Sequence, residues 1–212
     1  MSPTALPRFD LLAALPRLTA RALGQSLLAD DAVFRRIPAE ARPTLVDAAL
    51  SEGRVRAESV SRNFGSDPWT IAKRLGVSVV QSDSDAGFGS ALVFAEYTAH
   101  PPQITLYHTA IAEMSERLSH PMLRGVLQAG DCKQVVLAHE LYHHLERTGP
   151  EPPLRRRYRV TVLQLGHWRW TSGIAALEEI AAGAFAQILL SLKFHPRLLE
   201  LLCVLGGPAL RP

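Results

Sequence analysis

The sequence has few cysteines, no long apolar run and no long block of one charge sign. With 2 cysteines in 212 residues, a disulfide scaffold is excluded, and we expect Cys132 and Cys203 to be reduced thiols. No window of about 18 apolar residues is present, so we expect no membrane span. Pro3, Pro7 and Arg8 interrupt the first residues, which argues against a signal peptide. Together these absences favour a cytoplasmic protein.

The remaining composition is that of an ordinary globular protein. Apolar residues make up 47% and charged residues 20% of the chain, so a sizeable core can form. The net charge of +3 is compatible with an acidic partner but does not require a nucleic acid. One cluster of arginines, Arg155–Arg157 with Arg159, is most simply interpreted as a solvated loop. We therefore do not expect direct nucleic-acid binding.

Apolar periodicity and turn residues divide the chain into an N-terminal helical region, 1–62, and a second domain, 63–212. Gly53 is expected to stop the second N-terminal helix. Asp67 and Pro68 are typical of a helix start. Helices are predicted at 38–52, 68–75, 110–118, 131–147 and 174–192, and strands at 77–80, 91–98 and 103–107. Residues 158–165 are compatible with a further strand.

The strongest chemical signal is the motif His139-Glu140-Leu141-Tyr142-His143. On a helix, residues four apart share one face, so both imidazoles can bind one Zn²⁺. Glu140 lies beside them, where a carboxylate can act as the base for a water whose pKa the metal lowers. We therefore predict His139 and His143 as zinc ligands and Glu140 as the catalytic base.

A catalytic zinc site needs a third protein ligand, and the next long helix offers two adjacent candidates, Glu178 and Glu179. We favour Glu179, because Ala182, Gly183 and Ala186 follow it at helical spacing and form a face of very small residues. Such a face would let the two helices approach closely enough for a short carboxylate to reach the metal. Glu178 shares its face with bulkier side chains and should stand farther from the ion.

These two segments resemble the ImmA/IrrE group of bacterial zinc metallopeptidases. LAHELYHHL is followed by EIAAGAFAQILL, which is similar to that family's second motif, Glu-x-x-Ala-Asn-x-Phe-Ala. The preceding segments IAKRLGVSVV, ALVFAEY and QITLY also match, so the resemblance covers about residues 66–192. It implies an α+β, zincin-like domain with a small sheet beside two metal-bearing helices, and Glu179 as the third ligand.

The resemblance also implies a regulatory peptidase that acts on a protein partner, typically a transcriptional repressor. One position departs from the family pattern, because Gly183 stands where the family has Asn. That side chain commonly supports a ligand histidine, so the support must come from elsewhere in this chain. The spacing between His143 and Glu179 is also long, and the insert at 148–173 is expected to shape the cleft.

Other residues and other functions remain as alternatives. His144 is interpreted as structural, Cys132 as a small buried residue, and His167 or Tyr158 as weaker candidates for stabilising an oxyanion. A second hypothesis is a non-catalytic, zinc-stabilised regulator that binds a repressor or nucleic acid. A third, weaker one is a DNA-binding module built on residues 9–60 and the arginine cluster. Intact Glu140 favours the peptidase, because a purely structural site needs no general base.

Overall fold

The computed structural model describes residues 18–84, 93–118 and 132–201, which form an α+β fold. Cys203 and the first 17 residues of the N-terminal region lie outside these ranges. Helices are α1 (Ala20–Ala29), α2 (Arg42–Phe64), α3 (Pro68–Arg74), α4 (His108–Leu118), α5 (Cys132–Thr148), α6 (Leu154–Arg157) and α7 (Ala176–Leu189). Strands are β1 (Ser78–Ser82), β2 (Ala95–Ala99), β3 (Pro102–Tyr107), β4 (Arg159–Leu165) and β5 (Trp168–Gly173). Within the described residues, no helix is both long and apolar enough to cross a membrane.

The first sheet has three strands in the order β1-β3-β2. β1 runs parallel to β3, and β2 runs antiparallel to it. Ile104 and Leu106 alternate along the central strand with their side chains fully buried, as expected for a sheet with one face on the core. The three predicted strands are confirmed, although residues 91 and 92 of the second one lie outside the described ranges.

Helix α5 packs against this sheet through β2 and β3. Its apolar face is fully buried: Val135, Val136, Leu137, Ala138, Leu141 and Tyr142. Burying side chains of this size contributes about 1.5–3 kcal/mol for each large residue. The helix that carries the two histidines is therefore held firmly by the core.

Helix α7, which carries Glu178 and Glu179, packs between α5 and α2. The N-terminal region therefore contacts α7 through α2. The prediction that Gly53 stops a helix is wrong, because α2 continues through it to Phe64. A Cβ at Gly53 would overlap the carbonyl oxygen of Ala181, so glycine is needed here for close helix packing. The expected domain boundary after residue 62 falls within the last turn of α2.

The insert between α5 and α7 forms α6 and a two-stranded antiparallel hairpin, β4–β5. Glu146, 3% exposed, accepts hydrogen bonds from the Leu154 backbone N–H at 2.8 Å and from the Tyr142 hydroxyl at 3.4 Å. Arg157 forms an ion pair with Glu52 of α2 at 2.9 Å. These contacts attach the insert to the end of the metal-motif helix and to α2.

Candidate metal centre

Two histidines of α5 and one glutamate of α7 converge beside the first sheet. His139 and His143 are four residues apart and project from the same face of α5, while Glu179 lies in the first turn of α7. The start of α7 is held by Asp31, whose carboxylate accepts a hydrogen bond from the Ala176 backbone N–H at 2.8 Å. The buried faces of α5 and α7 therefore bring together three side chains from distant parts of the chain.

The three potential ligand atoms all lie within 4.8 Å of one another. His139 Nε2 is 3.1 Å from Glu179 Oε2, and His143 Nε2 is 3.5 Å from Glu179 Oε1. The two Nε2 atoms are 3.3 Å apart. This group could hold a metal ion, and it contains the three residues that the sequence predicts as ligands.

Charges within the group shift its pKa values in opposite directions. Burial alone would lower the pKa of His139, but the hydrogen bond and charge of Glu179 outweigh it and raise that pKa. Burial would raise the pKa of Glu179, and the two histidines instead lower it well below its usual range. Burial and the neighbouring charge of His139 lower the pKa of His143 to about 4. The opposite shifts of His139 and Glu179 are those of an ion pair between the two side chains.

Glu140 lies next to this group but is not part of it. Its side chain is half-buried, and burial raises the pKa of its carboxyl to about 7, against a lowering by the charge of His139. A carboxyl with a pKa near neutrality is well suited to exchange protons with a substrate. Glu140 therefore stands apart from the three side chains that could hold a metal ion.

His144 points away from the group of His139, His143 and Glu179 and toward the sheet. Its Nδ1 lies 2.9 Å from the Tyr97 hydroxyl of β2, and the two rings meet edge to face. Burial lowers the pKa of His144 and raises that of Tyr97, so both side chains are neutral at pH 7 and the phenol can donate to the imidazole. His144 thus joins the metal-motif helix to β2, in keeping with the structural role expected from the sequence.

The imidazole ring of His195 lies directly against Gly183, a contact that the sequence did not predict. A Cβ at Gly183 would overlap Cε1 and Nε2 of this ring. His195 is 1% exposed, its Nε2 lies 3.4 Å from the Ile180 carbonyl oxygen, and its Nδ1 accepts the Arg197 backbone N–H. The small-residue face of α7 therefore makes room for an imidazole at this position. The only sequence signal for it was a glycine where the related motif has a larger polar residue.

Glu178 is directed toward the insert. Its Oε2 lies 4.0 Å from Arg155 Nη1, and its Oε1 is buried with no hydrogen-bond partner among the described residues. Burial raises the pKa of this carboxyl to about 7. The two adjacent glutamates thus serve different surroundings, with Glu179 beside the histidines and Glu178 beside an arginine.

The weaker sequence candidates lie away from the metal-binding group. His167 is exposed at the tip of the β4–β5 hairpin, and Tyr158 is partly buried against the core. Within the described residues, no hydrogen bond links either side chain to His139 or His143. Cys132 is buried at the start of α5. None of these three residues contributes to the group at His139.

The hairpin carries an exposed apolar ladder on its outer half. Leu163 pairs with Trp170 and Leu165 pairs with Trp168 across the two strands. Both tryptophans are more than 70% exposed, at 74% for Trp168 and 73% for Trp170. Both rings are therefore available at the surface.

The arginine cluster, predicted to be a loop, instead forms α6 and the first residue of β4.

No family model, no curated protein and no solved structure matches this chain. A function for this protein is therefore inferred from the geometry and chemistry of the residues described above.

Proposed function

We propose that the protein is a zinc-dependent metallopeptidase that hydrolyses peptide bonds of a protein partner. The observation that carries this proposal is the mutual spacing of the three donor atoms, 3.1, 3.3 and 3.5 Å. Ligand atoms about 2.1 Å from a tetrahedral ion lie about 3.4 Å from one another. Two imidazoles and one carboxylate at this spacing match the ligand set of many catalytic zinc sites.

His139, His143 and Glu179 would hold the zinc ion. When bound, zinc polarises a carbonyl and lowers the pKa of water, which is the chemistry that amide hydrolysis requires. Glu179 is 49% exposed on its side chain, whereas the histidines are 19% and 15% exposed. Glu179 is therefore the most exposed of the three side chains, and a catalytic zinc site also needs an open coordination position.

Glu140 is assigned the role of general base and acid. It takes a proton from the water that attacks the scissile carbonyl and then delivers a proton to the departing amine. Its folded position beside the donor atoms and its pKa near 7 suit both transfers. A nearby cation would favour its charged form, which is the form that accepts the first proton.

The same proposal includes a zincin-like fold and membership of the ImmA/IrrE-type family. It is supported by the order of elements along the chain: three strands, the HExxH helix and a second helix with a glutamate ligand. The partner that follows from this assignment is a transcriptional repressor or another regulatory protein. The His195 ring lies against Gly183, the position at which the family motif has Asn.

The experiment compares the zinc-loaded protein with Glu140→Gln on a library of unstructured peptides, with cleavage read by mass spectrometry. We expect defined cleavage products from the wild type and a loss of several orders of magnitude in Glu140→Gln, since the base is removed. Equal cleavage by both proteins would remove Glu140 from the mechanism. Zinc binding without any cleavage by the wild type would instead favour the non-catalytic, zinc-stabilised regulator.

A further inference from the structure

A basic cavity of about 770 Å³ lies beside the metal-motif helix. Four arginines line it, Arg147 from α5, Arg155 and Arg156 from α6, and Arg159 from β4. The acidic side chain in its lining is Glu178. The cavity therefore concentrates positive charge from three separate elements in one concave place.

Arg157 belongs to the same arginine cluster but does not line the cavity. Arg157 is paired with Glu52 at 2.9 Å and with Glu151 at 3.2 Å. By contrast, Arg147 and Arg156 have no ion pair within the described residues. Arg155 Nη1 is 4.0 Å from Glu178 Oε2, and Arg159 donates hydrogen bonds to Thr171. Glu178 is the one acidic residue in the lining of the cavity, beside four arginines. This excess of positive charge in a concave site favours an anionic ligand.

The cavity and the group of His139, His143 and Glu179 draw side chains from the same two helices, α5 and α7. Arg147 follows His143 by one helical turn, about 6 Å along the axis of α5. Glu178 directly precedes Glu179, and the charge of Arg147 acts on both His143 and Glu140. A ligand in the cavity would therefore lie close to a peptide bound at the metal centre.

Strand β2 offers a path between the two sites. It lies at the edge of the described sheet, next to β3 only, so its outer N–H and C=O groups can pair with an extended peptide. The strand ends at Ala99, and Ala99 and His100 also line the cavity. Because an extended peptide advances about 3.3 Å per residue, a side chain two or three residues from the scissile bond would reach the arginines.

We propose that this cavity is a specificity pocket for an acidic side chain of the peptide substrate, located about two or three residues from the bond that is cut. The inference rests on the proposed peptidase function for the identity of its ligand. A peptide is favoured over a nucleic acid because the arginines converge on one cavity beside the metal-binding group. Tracking a phosphate backbone would require them along an extended face.

The first test measures binding without cleavage. Fluorescein-labelled nonapeptides of alanine and serine, with either two central glutamates or two central glutamines, are titrated with the zinc-loaded Glu140→Gln protein. We expect the acidic peptide to bind about tenfold more tightly at about 50 mM salt, and this preference to shrink at about 500 mM salt because exposed charges are screened.

Variants link that preference to the cavity. Arg147→Gln and Arg156→Gln, each made in the Glu140→Gln protein, should weaken acidic-peptide binding about threefold each, and the double change more strongly. Arg62→Gln on the exposed surface of α2 is the matched control and should have no effect. Arg156→Glu should shift the preference toward a peptide with two central lysines, which a general loss of folding could not produce.

The outcomes separate this inference from the proposed function. No acid preference, or one that Arg147→Gln and Arg156→Gln leave unchanged, overturns the pocket even when the wild type cleaves peptides. An acid preference that depends on these arginines supports the pocket even when the wild type cleaves nothing. Tighter binding of a fluorescein-labelled DNA duplex with the same arginine dependence would overturn it in favour of a nucleic-acid site.

Discussion

The contact between Gly183 and His195 can be tested by adding a single methyl group. In Gly183→Ala, the new Cβ would overlap two atoms of the imidazole and lie 3.1 Å from the third, Nδ1. The ring must therefore retreat by roughly 1.5 Å to restore ordinary carbon contacts of about 3.5–4.0 Å. Overpacking of this kind costs about 1–3 kcal/mol, whereas replacing a helical glycine with alanine stabilises by about 1 kcal/mol.

We therefore expect a net destabilisation of up to about 2 kcal/mol, which lowers Tm by up to about 4–8 °C for a chain of this size. The assay is thermal unfolding of the metal-free protein followed by circular dichroism. The matched control is the same substitution made in His195→Ala, where the ring is absent and the alanine should now stabilise by about 1 kcal/mol. If Gly183→Ala stabilises the protein while His195 is present, the ring does not occupy that position.

Three further predictions concern the metal site and its surroundings. Glu179→Gln should weaken zinc binding ~100-fold or more, whereas Glu178→Gln should retain it, as measured by competition with a chelating dye. The reverse result would show that α7 is rotated from the described orientation. Because burial lowers the pKa of His195 to about 4, the unfolded chain binds a proton at this residue at a higher pH than the folded chain does. The contribution of His195 to the free energy of unfolding should therefore fall by up to about 3 kcal/mol between pH 6.5 and 4 and stay constant above pH 6.5. The slope should be reduced in His195→Gln, and an unchanged slope would contradict a neutral buried ring. Glu146→Leu should destabilise by about 1–3 kcal/mol, since the Leu154 N–H loses its acceptor, whereas Glu146→Gln keeps an acceptor and should cost less; equal losses in urea unfolding would refute that explanation.

Local patterns allowed much of the fold and the candidate ligand group to be predicted. His139 and His143 share a face because of helical periodicity alone. Glu179 could be chosen over Glu178 because a face of very small residues follows it at helical spacing, and adjacent helical residues point about 100° apart. The strands at 77–80 and 103–107 followed from short apolar runs bounded by turn residues.

Features that depend on distant contacts could not be predicted in the same way. Gly53 had the pattern of a helix stop, but it lies inside α2 because α7 crosses it there. The ring beside Gly183 comes from a residue 12 positions later, His195, and no local pattern indicates that pairing. The arginine cavity likewise forms only when the hairpin and α6 fold back against the end of α5. Tertiary packing outweighed local propensity at each of these positions.

The most direct test of the central claim is the zinc content of the purified protein measured beside that of His139→Ala. Elemental analysis after dialysis against a weak chelator should give about one zinc per wild-type chain and little in the variant, with Arg62→Gln as a control that keeps its zinc. A zinc site at His139, His143 and Glu179 predicts that only His139→Ala loses its zinc, and that this variant keeps the helical circular dichroism of the wild type. Zinc content in His139→Ala equal to that of the wild type would contradict the site, and with it the proposed peptidase.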